Sequence, residues 1–289
     1  MPKGIIIKLI GGQYTVLDDA TKERFILKPR GVFRHLEISP KVGDKVVYNT
    51  DQIIKVMDRD NDLVRPPIAN IDQAIILNAA TSPAFSFNLL DRFLVLIEKE
   101  DVHPIIVVSK MDLISQEEAI TLKEKLAYYE TMYPVYYVSV KDQTSVEPLK
   151  TLFKDKVSVF AGQTGSGKSS LLNALDIKLN IETGEISKAL GRGRHTTRHS
   201  ELIELYDGLV ADTPGFSKLD FYDIKKEDLT VLYPDFFKLS EDCKFRGCLH
   251  INEPGCAVKK ALNQGTLLKE RYDNYLLIYQ EIANQKKKY

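Results

Sequence analysis

The stretch VSVFAGQTGSGKSS, residues 157–170, is a short apolar strand followed by a glycine-rich turn and the start of a helix. It matches G-x-x-x-x-G-K-[ST], a motif whose glycines let backbone N–H groups wrap around phosphate oxygens. Lys168 can reach the terminal phosphates and the Ser169 hydroxyl can coordinate magnesium. The dipole of the helix predicted at 169–175 also favours an anion. The stretch therefore predicts a nucleoside triphosphate site, and a chance match in a surface loop is the alternative. The site residues would be Gly162, Gln163, Thr164, Gly165, Ser166, Gly167, Lys168, Ser169 and Ser170.

The composition is that of an ordinary globular protein. The chain has 289 residues, 44% of them apolar, which suffices for two or three domains with a sizeable core. Lysine plus arginine equals aspartate plus glutamate at 40 each, so any contact with RNA must come from local patches. No apolar run has the length of a signal-peptide core or a membrane span, which predicts a cytoplasmic protein with no membrane partner.

Residues 1–66 form the first predicted domain, which is rich in β-structure. Short runs with β-branched residues are separated by turn signals; these are GIIIKLI, QYTVLD, RFILKP, KVVYN and QIIKVMDR. They predict a small closed barrel, for which the OB-fold is the natural candidate because it often binds oligonucleotides. In the loop KPRGVFRH, residues 28–35, basic side chains can hold phosphate and Phe33 can stack on a base, which predicts RNA binding. An ordinary barrel with a solvated loop is the alternative.

Residues 67–219 form the second predicted domain, which follows a linker at Arg65-Pro66-Pro67. Strand-like and helix-like stretches alternate through it. This alternation predicts a parallel sheet with helices on both faces and a ligand site at the carboxyl ends of the strands. Strands are predicted at 73–80, 104–110 and 135–140, and helices at 88–100 and 116–132.

Two strand ends ahead of the phosphate loop carry residues that suit a guanine base. Asp112 follows the strand that ends at Ser109 and Lys110, and its carboxylate can accept hydrogen bonds from the ring N–H and exocyclic amine of guanine. Adenine lacks that pair of donors. The Lys110 stem can lie along the base. At the next strand end, backbone N–H groups of Ser139 and Val140 can meet the guanine carbonyl, so the pattern predicts GTP.

The strand end after the phosphate loop predicts contacts with magnesium and the γ-phosphate. Asp212 follows the strand GLVA and can hold magnesium through its water shell, while the Gly215 N–H can meet the γ-phosphate. An unremarkable turn is the alternative. The segment at 186–205 is too polar and glycine-rich for a regular element, and a threonine in it near the metal is what a nucleotide-sensing switch needs. A surface loop with solvated histidines and arginines is the alternative there.

Residues 220–289 form the third predicted domain, which has a helical pattern with helices at 257–263 and 267–285. All three cysteines of the chain lie in it and, with one histidine, have the spacing C-x4-C-x-H-x5-C. Thiolates and an imidazole in this number form a closed tetrahedral site, which predicts structural zinc. The predicted ligands are Cys243, Cys248, His250 and Cys256. Unrelated buried thiols are the alternative.

With these motifs assembled, the chain resembles the circularly permuted GTPases, and specifically the ribosome small subunit-dependent GTPase A family, RsgA. In ordinary GTPases the phosphate loop comes first, whereas here the base-reading residues at 109–112 and 139–141 precede it. Permutation can leave the sheet intact because it only rejoins neighbouring ends. The resemblance covers nearly the whole chain. It implies an α/β protein with an N-terminal OB-fold β-barrel, a circularly permuted P-loop GTPase domain with a parallel-rich sheet, and a C-terminal α-helical zinc-binding domain.

The resemblance also implies roles for individual residues. By the resemblance, the magnesium ligands would be Ser169 and a switch threonine, Thr196 or Thr197, and the guanine residues would be Lys110 and Asp112. From the residues themselves, Asp212 is predicted to be a further magnesium ligand, and the predicted catalytic residues are Lys168, His195, Thr197, Asp212 and Gly215. Arg192, Arg194 and Arg198 of the same segment are alternatives to His195 for completing hydrolysis.

Two positions depart from the usual GTPase pattern. Ser109 stands where Asn is usual. A side-chain hydroxyl can form fewer hydrogen bonds than a side-chain amide between this strand and the phosphate loop. Phe216 stands where Ras-like enzymes have a Gln that orients the attacking water, which predicts a slow intrinsic GTPase.

The family's partner and role complete the expectation. The resemblance implies binding of GTP/GDP, Mg²⁺ and Zn²⁺, and of the small (30S) ribosomal subunit with its rRNA. It implies hydrolysis that is stimulated by the subunit, a role in late subunit maturation, and a monomer. The alternatives are an RNA-binding nucleotide switch with little hydrolysis of its own and an ATP-using P-loop enzyme such as a small-molecule kinase.

Overall fold

The structure, a computed structural model, describes residues 1–35, 37–64, 66–176, 201–211 and 219–285. Its N-terminal part is a closed barrel of five strands: β1 (Lys3–Ile10), β2 (Gln13–Asp18), β3 (Arg24–Pro29), β4 (Lys45–Tyr48) and β5 (Gln52–Val56). They close in the order β1-β2-β3-β5-β4. Apolar side chains such as Ile6, Val16, Leu27 and Ile53 fill the interior because alternate positions of each strand point inward. The predicted OB-like barrel is confirmed.

The loop predicted to bind RNA differs from the expectation. Lys28 and Pro29 belong to β3, and Val32–His35 form a short helical turn, α1. Phe33 is buried in the barrel core, so the prediction that this ring stacks on a base is wrong. The helical turn directs Phe33 inward, which a local basic-aromatic pattern does not reveal.

The segment that follows the last barrel strand is held to the barrel by a buried polar contact. The Asp44 carboxylate is fully buried and accepts hydrogen bonds from Arg59 Nε at 2.7 Å and Arg59 Nη2 at 2.9 Å. Ile68 and Ala69 are also buried, and the Ala69 N–H donates to the Val42 carbonyl at 2.9 Å. Residues just beyond the predicted linker therefore pack on the barrel.

The second part is built on a six-stranded sheet. Its strands are β6 (Gln73–Ala79), β7 (His103–Ser109), β8 (Val135–Tyr137), β9 (Val157–Ala161), β10 (Leu202–Leu205) and β11 (Gly208–Ala211), in the spatial order β10-β11-β9-β6-β7-β8. All neighbours are parallel except β10 and β11, which form an antiparallel hairpin at the edge. The predicted parallel-rich sheet is confirmed. The prediction of no regular element at 186–205 is wrong for β10, because Leu202 and Leu205 are buried and hold LIEL in the sheet.

Helices cover both faces of the sheet, as predicted. One face carries α2 (Phe87–Lys99) and α3 (Gln116–Glu130), and the other carries α4 (Gln143–Lys150) and α5 (Lys168–Leu175). The sequence reasoning missed α4, whose N-terminus is capped by the Asp142 carboxylate and which contains Pro148. Each end of the predicted helices lies within two residues of the observed one.

The C-terminal part consists of α6 (Pro234–Ser240), α7 (Ala257–Asn263) and α8 (Lys269–Asn284). Helix α8 packs on α2 through a buried ionic network. Arg271 donates to Asp91 and, through Nε at 2.9 Å, to Asp235, while Asn274 Nδ2 donates to Asp91 at 2.7 Å. Burial raises the pKa of Asp91 to about 6, against the opposing effect of Arg271. None of the helices in the described residues combines the length and apolar character that a bilayer crossing requires.

Candidate functional site

The turn between β9 and α5 has the backbone geometry of a phosphate-binding loop. Gly162 has a φ of +139°, and a Cβ at this position would lie 2.3 Å from the Leu77 carbonyl oxygen. Gly167, with a φ of +93°, caps the N-terminus of α5. Both positions require glycine, since other residues would be strained or would clash. The loop therefore brings its backbone to the N-terminus of α5, where N–H groups attract an anion.

Lys168 is the first residue of α5 and its ammonium group folds back over the loop. Nζ donates to the Gly162 carbonyl at 2.8 Å and to the Gln163 carbonyl at 3.3 Å. Burial lowers the pKa of Lys168 because the charged form loses solvent. The predicted residues Ser169 and Ser170 lie in the first turn of α5, half-buried, beside this cation.

The strand end at Ser109 is joined to the phosphate loop by two hydrogen bonds. The Ser109 hydroxyl donates to the Ser166 carbonyl at 2.6 Å, and both residues are buried. Lys110 has a left-handed φ of +59°, and its Nζ donates to the Gly165 carbonyl at 2.8 Å and also to the Ser82 carbonyl. The serine therefore makes the connection to the loop for which an asparagine is usual.

Asp112 presents an ionised carboxylate beyond the same strand. Lys141 Nζ lies 2.9 Å from Asp112 Oδ2, and the Ser139 hydroxyl donates to Oδ1 at 2.8 Å. Lys141 and Ser139, in that order, lower the pKa of Asp112 by favouring its charged form. A carboxylate held in this way is an acceptor for two adjacent N–H donors.

Ser145 is a residue that the sequence reasoning missed. It accepts from the Ser139 N–H at 3.0 Å and donates to the Asp142 carbonyl at 2.7 Å, so it holds the turn that carries Ser139 and Val140. The signal in the sequence was the aspartate before a polar helical stretch, which is a pattern of N-capping.

The predicted switch residues, and the predicted catalytic residues other than Lys168, lie outside the described residues. These are His195, Thr196, Thr197, Asp212 and Gly215, and Phe216 lies with them. The described strand β11 ends at Ala211 and runs parallel to β9. Its carboxyl end is therefore at the edge of the sheet that carries the phosphate loop.

The four predicted metal ligands meet at one point in the C-terminal part. The ligand atoms of Cys243, Cys248, His250 and Cys256 all lie within 4.8 Å of one another. His250 Nδ1 is 3.3 Å from Cys256 Sγ and 3.8 Å from Cys243 Sγ. A tetrahedral zinc site places such atoms about 3.6–3.8 Å apart. The donor set and spacing therefore fit a zinc ion.

Two tyrosines of α8 hold the loop that carries the predicted metal ligands, residues 243–256. The Tyr272 hydroxyl donates to the His250 carbonyl at 2.7 Å, and the Tyr275 hydroxyl donates to the Leu249 carbonyl at 2.9 Å. The Cys243 sulfur accepts from the Ala257 N–H at 3.3 Å. Burial raises the pKa of the Cys248 thiol to about 12, so a bound cation would be needed to keep it ionised at neutral pH.

Comparison with known proteins gives matches along the whole chain. Residues 56–222 match the family model RsgA GTPase, and residues 3–54 match RsgA N-terminal domain. Small ribosomal subunit biogenesis GTPase RsgA of Bacillus subtilis (strain 168) is 48% identical over 298 residues, covering 100% of both chains. Small ribosomal subunit biogenesis GTPase RsgA 2 of Oceanobacillus iheyensis is 48% identical over 295 residues with the same coverage.

Two solved structures are also similar over their full length. One is the crystal structure of YloQ, a circularly permuted GTPase, at 45% identity and a TM-score of 0.88, covering 100% of this chain and 97% of that one. The other is YjeQ from Thermotoga maritima, at 34% identity and a TM-score of 0.88, covering 99% of each chain. The permuted order of motifs is thus shared with solved proteins.

Proposed function

Because the chain belongs to the RsgA GTPase family, we propose that it is a GTPase that binds the small ribosomal subunit and couples GTP hydrolysis to late steps of that subunit's maturation. One hydrogen bond carries the proposal: the Ser109 hydroxyl donates to the Ser166 carbonyl. It joins the phosphate loop to the strand that leads to Asp112. A triphosphate loop and a carboxylate suited to guanine are thereby held in one site.

The base would be recognised by its two adjacent donors. The Asp112 carboxylate would accept the ring N–H and the exocyclic amine of guanine, while the Lys110 stem would lie along the ring. Backbone N–H groups at Ser139 and Val140 would donate to the guanine carbonyl. A site built to pair with these groups rejects an analogue that lacks them, since its polar atoms are then left unpaired. We therefore expect ATP to bind far more weakly than GTP.

The phosphates would be held by the loop and by a magnesium ion. Lys168 and the loop N–H groups would neutralise charge that develops on the γ-phosphate. Magnesium, when bound, would supply further charge neutralisation at the β- and γ-phosphates. Ser169, Asp212 and one of Thr196 and Thr197 would hold it.

The lack of a polar side chain at position 216 explains why this GTPase would be slow without the subunit. The Gly215 N–H would meet the γ-phosphate, but the Phe216 side chain has no group that can orient a water. His195, which precedes the switch threonines, is the residue we assign to that task. We propose that contact with the subunit brings it into position.

The cysteine and histidine cluster would hold structural zinc. Four protein ligands leave no open coordination position, so the ion would stabilise the fold and take no part in hydrolysis. Metal binding would supply folding free energy to the segment that provides the four ligands.

The barrel would contact ribosomal RNA through the outer face of β3. Arg24, Ile26 and Lys28 alternate along this face, and Ile26 is 68% exposed. Cations flanking an exposed apolar side chain suit a phosphate backbone and a base, and OB-folds commonly use this face. We also propose that the protein acts in the cytoplasm as a monomer, since each of its three parts is present once.

Phosphate release with and without ribosomal subunits tests the proposal. The full chain is incubated with GTP or ATP alone, with small subunits, or with large subunits as the matched control, at one fixed ionic strength because RNA binding depends strongly on salt. We expect slow release from GTP alone, at least about tenfold faster release with small subunits only, and none from ATP. Equal rates with both subunits would contradict a specific role. Binding without acceleration would favour a passive nucleotide switch, which Phe216 also suits.

A further inference from the structure

A partly buried ion pair joins the barrel to the GTPase sheet. Lys8 on β1 and Glu201, which directly precedes β10, form an antiparallel backbone bridge. Lys8 Nζ lies 2.6 Å from Glu201 Oε1, and the two side chains are only 28% and 25% exposed. Backbone pairing and side-chain pairing at the same residues make this a defined contact between the two parts.

A second, looser pair extends the junction along the same strands. Arg24 on β3 lies 3.4 Å from Glu204 on β10, and these side chains are 57% and 47% exposed. Two carboxylates beside β10 thus face two cations of the barrel. One of these cations, Arg24, belongs to the barrel face that we assign to RNA.

The other side of the hairpin contacts the phosphate-binding elements. Its turn residues Tyr206 and Asp207 both have left-handed backbones, and the Tyr206 hydroxyl donates to the Leu175 carbonyl at the end of α5. Strand β11 pairs with β9, the strand that enters the phosphate loop, and ends at Ala211, next to Asp212. The hairpin therefore contacts the barrel on one side and the nucleotide-binding elements on the other.

We propose that Lys8 and Glu201 are positioning residues for the hydrolysis that the subunit stimulates, and that RNA bound on the barrel sets the position of the β10–β11 hairpin through them. The proposal rests on the proposed function, because it assigns the junction a part in the response to subunit RNA. RNA bound on the barrel face would then alter the position of the carboxyl end of β11, at Ala211, through the hairpin. Neither residue belongs to the proposed set that contacts the nucleotide.

Charge reversal and charge exchange test this proposal. The variants are Lys8→Glu, Glu201→Lys and the double exchange K8E/E201K. GTP hydrolysis without subunits, its kcat with saturating small subunits, and subunit affinity are measured for each. We expect each single reversal to lower the stimulated kcat about fivefold, which corresponds to about 1 kcal/mol, with the other two quantities unchanged. The double exchange should recover most of the loss because the opposite charges face each other again.

A second ion pair of the barrel supplies the matched control. Lys45 and Asp60 lie 3.0 Å apart and are 56% and 75% exposed, and neither residue belongs to the β10–β11 hairpin. The exchange K45E/D60K should leave the stimulated kcat unchanged. If a reversal variant fails to fold, the milder pair Lys8→Gln and Glu201→Gln should show the same direction with a smaller loss.

Three outcomes would overturn the proposal. Loss in both single variants without recovery in the double exchange would mean that the pair itself is not responsible. Weakened subunit affinity with unchanged stimulated kcat would mean that these charges only help binding. A wild-type protein that small subunits do not stimulate would overturn the proposed function, and this inference with it.

Discussion

Replacement of Ser109 by alanine tests how the nucleotide site is held together. The Ser109 hydroxyl donates to the Ser166 carbonyl at 2.6 Å inside the protein. Alanine removes the donor and leaves a buried carbonyl without this partner. The Lys110 contact with the Gly165 carbonyl would remain, so the loop should loosen without losing its fold.

The size of the effect follows from the burial of this hydrogen bond. A buried polar group left without its partner costs about 1–3 kcal/mol. Part of this cost lowers the stability of the protein. The other part weakens nucleotide binding, because the loosened loop must be ordered around phosphate when the nucleotide binds. We expect the Kd for GTP to rise about tenfold, which corresponds to about 1.4 kcal/mol. The Kd for GDP should rise equally, because both nucleotides bind the same loop backbone.

Titration with fluorescent GTP and GDP analogues, together with thermal unfolding, measures both effects. Ser158→Ala is the matched control, since this buried serine lies on β9 and its Oγ accepts from Gln73 Nε2 at 2.9 Å, at the strand end away from the loop. Both variants should lower Tm, and only Ser109→Ala should weaken nucleotide binding. Equal Kd values for the two variants would refute the proposed coupling of this strand end to the loop.

Three other perturbations have defined outcomes. Hydrogen bonds from the Tyr48 hydroxyl and then from the Thr21 and Ala20 N–H groups lower the pKa of Asp18 to about 2. This carboxylate therefore stabilises the fold above about pH 4, and the stability is lost as pH falls toward 2. Tyr48→Phe should reduce this pH dependence in urea unfolding measured from pH 5 to 2. Arg271→Met leaves Asp91 buried without its cation and should lower the free energy of unfolding by about 3–5 kcal/mol, whereas Lys269→Met, on the exposed side of the same helix, should change it by less than about 0.5 kcal/mol. Chelation should release one metal ion per chain and unfold the C-terminal part while the Kd for GTP stays within about twofold, as measured by metal dye, circular dichroism and nucleotide titration.

Much of the fold follows from local patterns in the sequence. Continuous apolar runs such as β6, which is buried along its whole length, identify parallel strands between covering helices. The missed helix α4 is short, polar and contains Pro148, so its periodicity is weak. Strand β10 was missed because its four residues, LIEL, form a very short run. The burial of Leu202 and Leu205 also depends on a hairpin partner further along the chain.

The sequence predicts which side chains belong to the candidate site but not which contacts they make with one another. Motif spacing predicts Asp112 as the base-reading residue, yet its pairing with Lys141 depends on two strand ends coming together. The burial of Phe33 likewise depends on the barrel core, which a basic-aromatic pattern does not encode. Sequence therefore indicates which groups take part, and tertiary packing decides which of them can reach a ligand.

The packing of α8 on α2 limits where the chain can be truncated or its domains exchanged. Asp91 and Arg271 are 180 residues apart in sequence, and their contact joins the GTPase part to the last helix. The same helix holds the loop that carries the predicted metal ligands, through Tyr272 and Tyr275. A fragment that ends before α8 would leave the buried Asp91 carboxylate without Arg271 and this loop without its hydrogen bonds to α8. An exchange of domains between relatives would therefore need to carry α2 and α8 together.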